Sequence, residues 1–310
     1  ETVVCEARGT LWRRDLPDGV AQRLTDSKGV FESWPSFSAD GKKVVYTTWS
    51  DSEQGQVRVA ALRGGRSRAV TSERGNYVEP AFSPDGETIV FRRIGGGYLL
   101  SPLWSLNPGI YTASEEGDRV RQISEEGRMP RFSADGERIW FVTGGGSGLQ
   151  LNSMDRRGQD QRIHVEGKKM VAMAPSPDGR WLAFIEAHNV FVAPLVETGK
   201  VTQLSASTEA LPVRQLSARA GDFLAWQDSD TVTWSRGPIL YDSRLDEAFE
   251  FLGDPNEPRP EDVGIDIGFE ASGSNHGDTM AFVGARVVTM RDAWGGTTEV
   301  FEDGTVVVEG

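Results

Sequence analysis

The sequence predicts an all-β fold: a six-bladed β-propeller whose first blade is incomplete, followed by the opening strands of a small β-sandwich. Three observations predict it. One phrase recurs: FSADGKKVVY from Phe37, FSPDGETIVF from Phe82, FSADGERIWF from Phe132, PSPDGRWLAF from Pro175, and a worn copy, WQDSDTVTWS, from Trp226. The anchors Ser38, Ser83, Ser133, Ser176 and Gln227 lie 45, 50, 43 and 51 residues apart, the period of propeller blades. Around each anchor the chain is built from short runs rich in β-branched and aromatic residues, with no long helical periodicity before about residue 250.

Within a blade, an apolar first strand ends in Ser-(Pro or Ala)-Asp-Gly. Proline presets φ for a turn, Asp accepts local backbone hydrogen bonds, and Gly supplies the positive φ that closes it. A second strand follows at once (KKVVYTTW, ETIVFRRI, ERIWFVTG, RWLAFIEA, TVTWS), apolar nearly throughout, as stacked blades require. The third strands are QVRVAAL, GIYTA, LQLNSM, NVFVAPL and PILYDSRL. A fourth, outer strand carries phrases such as RAVTS, RQISE and TQLSA. Residues 1–25 read as strands two, three and four of a blade, so the missing first strand is expected upstream of Glu1 or from elsewhere, since an open edge leaves backbone groups unpaired. The expected organisation is a propeller over residues 1–252, a Pro- and acid-rich linker over 253–277, and the truncated start of a sandwich over 278–310, built on AFVGARVVTM and EDGTVVVEG.

Composition narrows the function. A net charge of −13 argues against a nucleic-acid partner, which needs a clustered basic surface. No window of about 18 apolar residues occurs, so no membrane span is expected. The single cysteine, Cys5, excludes an internal disulfide and a cysteine-cluster metal site, and reads as a small core residue.

The blades resemble TolB-like β-propeller repeats over roughly residues 1–250. The tail, with Gly-Ala-Arg-Val in AFVGARVVTM and Asp-Gly-Thr-Val-Val-Val in EDGTVVVEG, resembles the first strands of an amidohydrolase, a superfamily in which a small β-sandwich precedes a metal-binding (β/α)₈ barrel. Proteins with a TolB-like propeller fused ahead of an amidohydrolase exist. YTTWSDSEQGQVRVAAL from Tyr46, GGGYLLSPLWSLNPGIYTA from Gly95 and GDFLAWQDSDTVTWSRGPILY from Gly221 resemble that fusion's propeller. The resemblance implies a non-catalytic propeller that shields or gates an active site or mediates assembly. Its partner would be its own catalytic domain or another protein subunit, and its compartment the periplasm or the exterior. The departure is in the ligands. The family's His-x-His pair is absent: His164, His188 and His276 stand far apart. No cofactor is therefore expected in this chain, and zinc or a similar divalent ion is expected only in a barrel beyond Gly310. Two other readings stay open, a freestanding TolB-like interaction module of the cell envelope and the gating propeller of a serine peptidase.

No catalytic or metal-binding set is expected within these residues. GGGSG (Gly144–Gly148) lacks the Gly-Lys-Ser/Thr ending of a phosphate loop and reads as an interstrand loop. SGSNHG (Ser272–Gly277) lacks a triad's context, and no Gly-x-Ser-x-Gly elbow occurs. His188 reads as a turn residue. The most suggestive segment is the insertion from Arg93 to Gly109, in which Tyr98, Leu99, Leu103, Trp104 and Asn107 form an expected substrate- or partner-contact loop, or else a cap folded over its own blade.

Overall fold

Six small sheets, each a blade and antiparallel but for one added outer strand, account for most of the chain. The computed structural model describes residues 1–95, 107–145, 148–249, 264–270, 279–289 and 299–309. Blade 1 has three strands: β1 (Thr2–Ala7), β2 (Thr10–Asp15) and β3 (Gln22–Arg23). Blade 2 has four, β4 (Phe31–Phe37), β5 (Lys43–Trp49), β6 (Gln56–Ala61) and β7 (Arg68–Ala69). Blade 3 follows with β8 (Asn76–Phe82), β9 (Thr88–Ile94), β10 (Gly109–Ser114) and β11 (Arg121–Ser124). Blade 4 contains β12 (Arg128–Phe132), β13 (Arg138–Gly145), β14 (Gly148–Asp155) and β15 (Arg162–Gly167).

Two outer strands depart from the sequence reading. After β16 (Met170–Pro175), β17 (Trp181–Glu186) and β18 (Asn189–Pro194), the TQLSA phrase forms β19 (Thr202–Gln203), which adds in parallel to β15 of blade 4. Blade 5 is completed instead by β20 (Arg214–Gln215). A two-residue strand contributes few ladder hydrogen bonds, so packing rather than its own sequence decides which sheet it joins. Blade 6 has β21 (Asp222–Trp226), β22 (Thr231–Arg236) and β23 (Ile239–Arg244), a four-residue helix α1 (Leu245–Ala248), and outer strand β24 (Ile265–Asp266). This last strand lies inside the stretch expected to be a linker, and the compact unit runs from Glu1 to Gly268. A second unit, Phe269–Gly310, contains one antiparallel hairpin, β25 (Met280–Val288) with β26 (Val300–Val308).

The repeated turn explains the repeated phrase. In blade 2 the Ser38 hydroxyl donates to Asp40 Oδ1 (2.7 Å) and accepts from Lys43 N (3.0 Å). Asp40 Oδ1 also accepts from Lys42 N (3.1 Å). Gly41 takes φ +66° and donates to the Ser38 carbonyl (2.9 Å). The Ser–Asp bond recurs at Ser83–Asp85 (2.5 Å), Ser133–Asp135 (2.6 Å) and Ser176–Asp178 (2.6 Å). Each turn thus satisfies its own backbone donors and delivers the chain into the second strand.

Those second strands form the core. Val44, Val45 and Tyr46, Ile89, Val90 and Phe91, and Leu182, Ala183 and Phe184 have no exposed surface, because a blade packs on each side. Five apolar layers result, between blades 1 and 2, 2 and 3, 3 and 4, 4 and 5, and 5 and 6. Blades 6 and 1 meet through polar contacts. Gln227 Nε2, at the worn turn, donates to Glu1 Oε1 (3.1 Å), and Arg14 Nη1 donates to the carbonyls of Asp266 and Gly268 (2.9 Å each).

Candidate channel site

The innermost strands of blades 2 to 6 ring the propeller axis, and each is interrupted at the same place. The ladder shifts register between Ser33 and Ser36, Val78 and Ala81, Arg128 and Arg131, Met170 and Ala172, and Asp222 and Ala225. These are β-bulges, which re-aim a side chain and cluster beside functional sites. At the bulges stand Trp34, Glu79, Met129, Val171 and Phe223. Four of them, Trp34, Glu79, Met129 and Phe223, hold φ between +52° and +57°, a left-handed backbone that is costly for such side chains. Pro35, Pro80 and Pro130 follow three of the bulges. A residue without an N–H suits a break in an edge strand. Trp34, Val171 and Phe223 are exposed, Phe223 at 87%. Exposed apolar side chains therefore stand at the bulges of blades 2, 5 and 6, on left-handed backbone at Trp34 and Phe223.

The polar groups of this ring are few. Glu79 Oε2 accepts from the Met129 backbone N–H (2.5 Å), and Glu79 Oε1 lies 3.5 Å from Arg92 Nη1. In blade 1, enclosure raises the Glu6 carboxyl above the ordinary range, opposed by the Trp34 N–H. Arg131, beside the bulge of blade 4, is exposed. Desolvation by the surrounding protein lowers its pKa, with the Glu79 carboxylate opposing the shift. A crevice of about 10 Å³ opens beside it, between Met129, Trp140, Met173 and Leu224.

Of the contact residues expected from sequence, Tyr98, Leu99, Leu103 and Trp104 lie outside the described residues. Asn107 is described: it takes φ +55°, and its carbonyl accepts from the Tyr111 hydroxyl (2.6 Å). The feet of the insertion, Arg93 and Gly109, are directly paired. Arg93 is pinned by Glu73 Oε2 (3.1 Å) and the Arg74 carbonyl (2.9 Å). His188 forms a tight turn with Ala187, both at positive φ, and its carbonyl accepts from Gly221 N (2.9 Å). His164 Nε2 lies 2.7 Å from the hydroxyl of fully buried Ser153, and burial lowers its pKa. His276 lies outside the described residues. Gly145 and Gly148 close a hairpin, as expected for an interstrand loop. Cys5 is only partly buried, on β1, and burial raises its thiol pKa against the influence of Arg14. Among the described residues no group of three or more His, Cys, Asp or Glu could hold a metal ion.

The sequence reading missed the bulge ring. Its signal was present in WPSFS, EPAFS and MPRFS, where a proline stands three residues before the anchor serine in what is otherwise a strand.

A family model described as the TolB beta propeller domain matches residues 10–212. The chain belongs to the TolB beta-propeller domain family. Its fold is similar to TolB from Acinetobacter baumannii (TM-score 0.55, 19% identity), over 76% of this chain and 57% of that one. The chain thus spans little more than half the length of that TolB. It is also similar to a chain of the nidogen/laminin complex (TM-score 0.57, 13% identity, 81% of this chain and 91% of that one). An oligogalacturonate lyase from Vibrio parahaemolyticus matches with TM-score 0.54 and 12% identity, over 78% and 73% of the two chains. At these identities the likenesses show the fold alone. In this TolB-type propeller the family match runs from the start of β2 to just before β20. It includes the bulges of blades 2 to 5, while that of blade 6, at Phe223, lies beyond it.

Proposed function

We propose that this TolB-type propeller is the non-catalytic portion of an amidohydrolase-like, metal-dependent hydrolase, and that it gates or shields the active site or holds subunits together. The observation that carries the reading is the β25–β26 hairpin. It bears Gly-Ala-Arg-Val from Gly284 and Asp-Gly-Thr-Val-Val-Val from Asp303, the two phrases that resemble an amidohydrolase's opening strands. Met280, Phe282, Val283, Phe301, Val307 and Val308 are exposed on it. A two-stranded hairpin is marginal alone and needs further strands or a packed partner to cover such residues. On this reading residues 278–310 begin a sandwich, zinc or a similar ion belongs to the barrel domain, and the propeller's partner is that domain or another subunit. The likeness to TolB favours one alternative, a freestanding interaction module of the cell envelope. Both readings place the protein in the periplasm or outside the cell.

The test is the intact mass and metal content of the protein isolated from its native cells. A mass well above 33.9 kDa, with about one or two zinc-like ions per chain, is expected. A native mass of 33.9 kDa without stoichiometric metal would replace this reading with the freestanding module.

A further inference from the structure

The outer strand of blade 4 is tied to its neighbour by a side chain where its backbone ladder is interrupted. The β14–β15 ladder shifts register between Leu151, which pairs with Val165, and Asn152, which pairs with Ile163, and His164 stands at the shift. Its ring reaches β14 instead: Nε2 lies 2.7 Å from the Ser153 hydroxyl. A third group fixes the roles in this bond. Arg138 Nε, which can only donate, donates to the same hydroxyl oxygen (2.9 Å). Ser153 is fully buried, so its own proton needs an acceptor, and the imidazole Nε2 is the one within reach. His164 therefore sits here as the neutral ring, with its proton on Nδ1. A protonated ring would turn Nε2 into a second donor aimed at Ser153 and leave the buried hydroxyl proton without an acceptor.

The charged groups around the ring come from three elements. Burial favours the neutral form first. Glu197, in the loop between β18 and β19, opposes it, while Arg138 on β13 and Arg162 on β15 reinforce it. Asp160 engages both arginines, at 2.9 Å from Arg138 Nη1 and 2.7 Å from Arg162 Nη2. Trp140 packs against the imidazole, 4.6 Å between ring centroids. Beside His164, β15 is also the seat of the strand that crosses from blade 5. In β19, Thr202 pairs with Val165 and Gln203 with Glu166. The Leu204 N–H donates to the Glu166 carbonyl (3.0 Å), and Gln203 Nε2 donates to Glu166 Oε2 (2.6 Å). Leu204 is buried in the apolar layer between blades 4 and 5.

We propose that His164 is an acid-sensitive latch on this crossing: neutral, it accepts the Ser153 proton and fixes β15 to β14, and protonated, it releases Ser153 and turns to Glu197. Glu197 lies on the segment that leads into β19, so acid loosens the seat of β19 on blade 4. The direction follows from the neutral ring. Burial holds the folded pKa below the unfolded value near 6.5. The latch's contribution to stability is therefore complete above about pH 6.5 and is lost as the pH falls through the lowered folded value. The device is independent of whether a hydrolase domain accompanies the propeller.

The test is an NMR titration of the full chain that follows the His164 ring and the exchange of the Leu204 amide, corrected for the intrinsic pH dependence of exchange. The ring should titrate below about 6.5, and Glu197→Gln should move that titration lower. The Leu204 amide should exchange about 3- to 10-fold faster in the acid form than in the neutral form, the loss of roughly one hydrogen bond. His164→Gln keeps an acceptor for Ser153 but does not titrate, so its Leu204 amide should show no such acceleration. A histidine with a packing role alone would not couple its own titration to an amide on β19. The proposal is overturned if the wild-type ring titrates at or above about 6.5, a result that needs no variant to fold. It is also overturned if acid accelerates Leu204 exchange equally in His164→Gln and wild type.

Discussion

Asp40 holds its turn through two acceptor bonds, and its titration reports them. The Ser38 hydroxyl, then the Lys42 backbone N–H, lower its pKa to about 2. An Asp in the unfolded chain titrates near 3.9. The carboxylate's contribution is therefore complete above the unfolded value and is lost as the pH falls from about 4 through about 2. Asp40→Asn should lower the urea midpoint at neutral pH, and the gap from wild type should narrow as the pH falls. An equal gap at both ends of the range would show that the charge has no part in the turn. The same direction holds at Asp85 and Asp135, again from the serine hydroxyl first. At Asp178 burial opposes the shift, and the Ser176 and Arg180 bonds outweigh it. Phe223 illustrates the opposite economy. It holds φ +53° with little buried surface, so its side chain contributes little packing to offset its backbone strain. Phe223→Asn, which tolerates that conformation, should leave stability unchanged or raise it by up to about 1 kcal/mol in urea unfolding. A loss above about 1 kcal/mol would show that the ring packs against the protein rather than facing the axis.

At the scale of the element, the second strand of each blade dominates. Phe91 is fully buried, lies edge-on to Tyr77 at 5.6 Å and stacks on Tyr111 at 5.9 Å between ring centroids. Phe91→Ala should lower the free energy of unfolding by about 3–5 kcal/mol, measured by urea titration. A loss below about 1 kcal/mol would mean that the layer between blades 2 and 3 readily collapses around the gap. These strands were legible because a both-faces-buried strand needs a continuous apolar run, and VVY, IVF and LAF provide one directly after a turn whose chemistry is local. The two-residue outer strands were not. The phrase TQLSA has the same letters whether it closes blade 5 or adds to blade 4, and the choice is made by contacts distant in sequence. Strand β24 was hidden for the same reason, as two residues just beyond a proline- and acid-rich stretch. The bulges were partly legible. The prolines mark them in three blades, but blade 5 has Val171-Ala172 and blade 6 has Phe223-Leu224 at the same place, with no punctuation to read. That Arg131 is exposed, while Arg138 seven residues on is engaged by Ser153 and Asp160, follows only from the assembled blades.

At the scale of the molecule, blades arranged around an axis separate two kinds of surface. The faces between blades carry the apolar cores. The rim along the axis carries bulged backbone and the exposed aromatic rings of Trp34 and Phe223. One or two residues per blade are positioned along that rim by the same break in the same strand. The most direct test of this division is native-state hydrogen exchange on the full chain. The second strands, residues 43–49, 88–94 and 181–186, should exchange slowest, and the bulged stretches 33–36, 128–131, 170–172 and 222–225 faster. Equal protection of the bulged stretches and the second strands would contradict it.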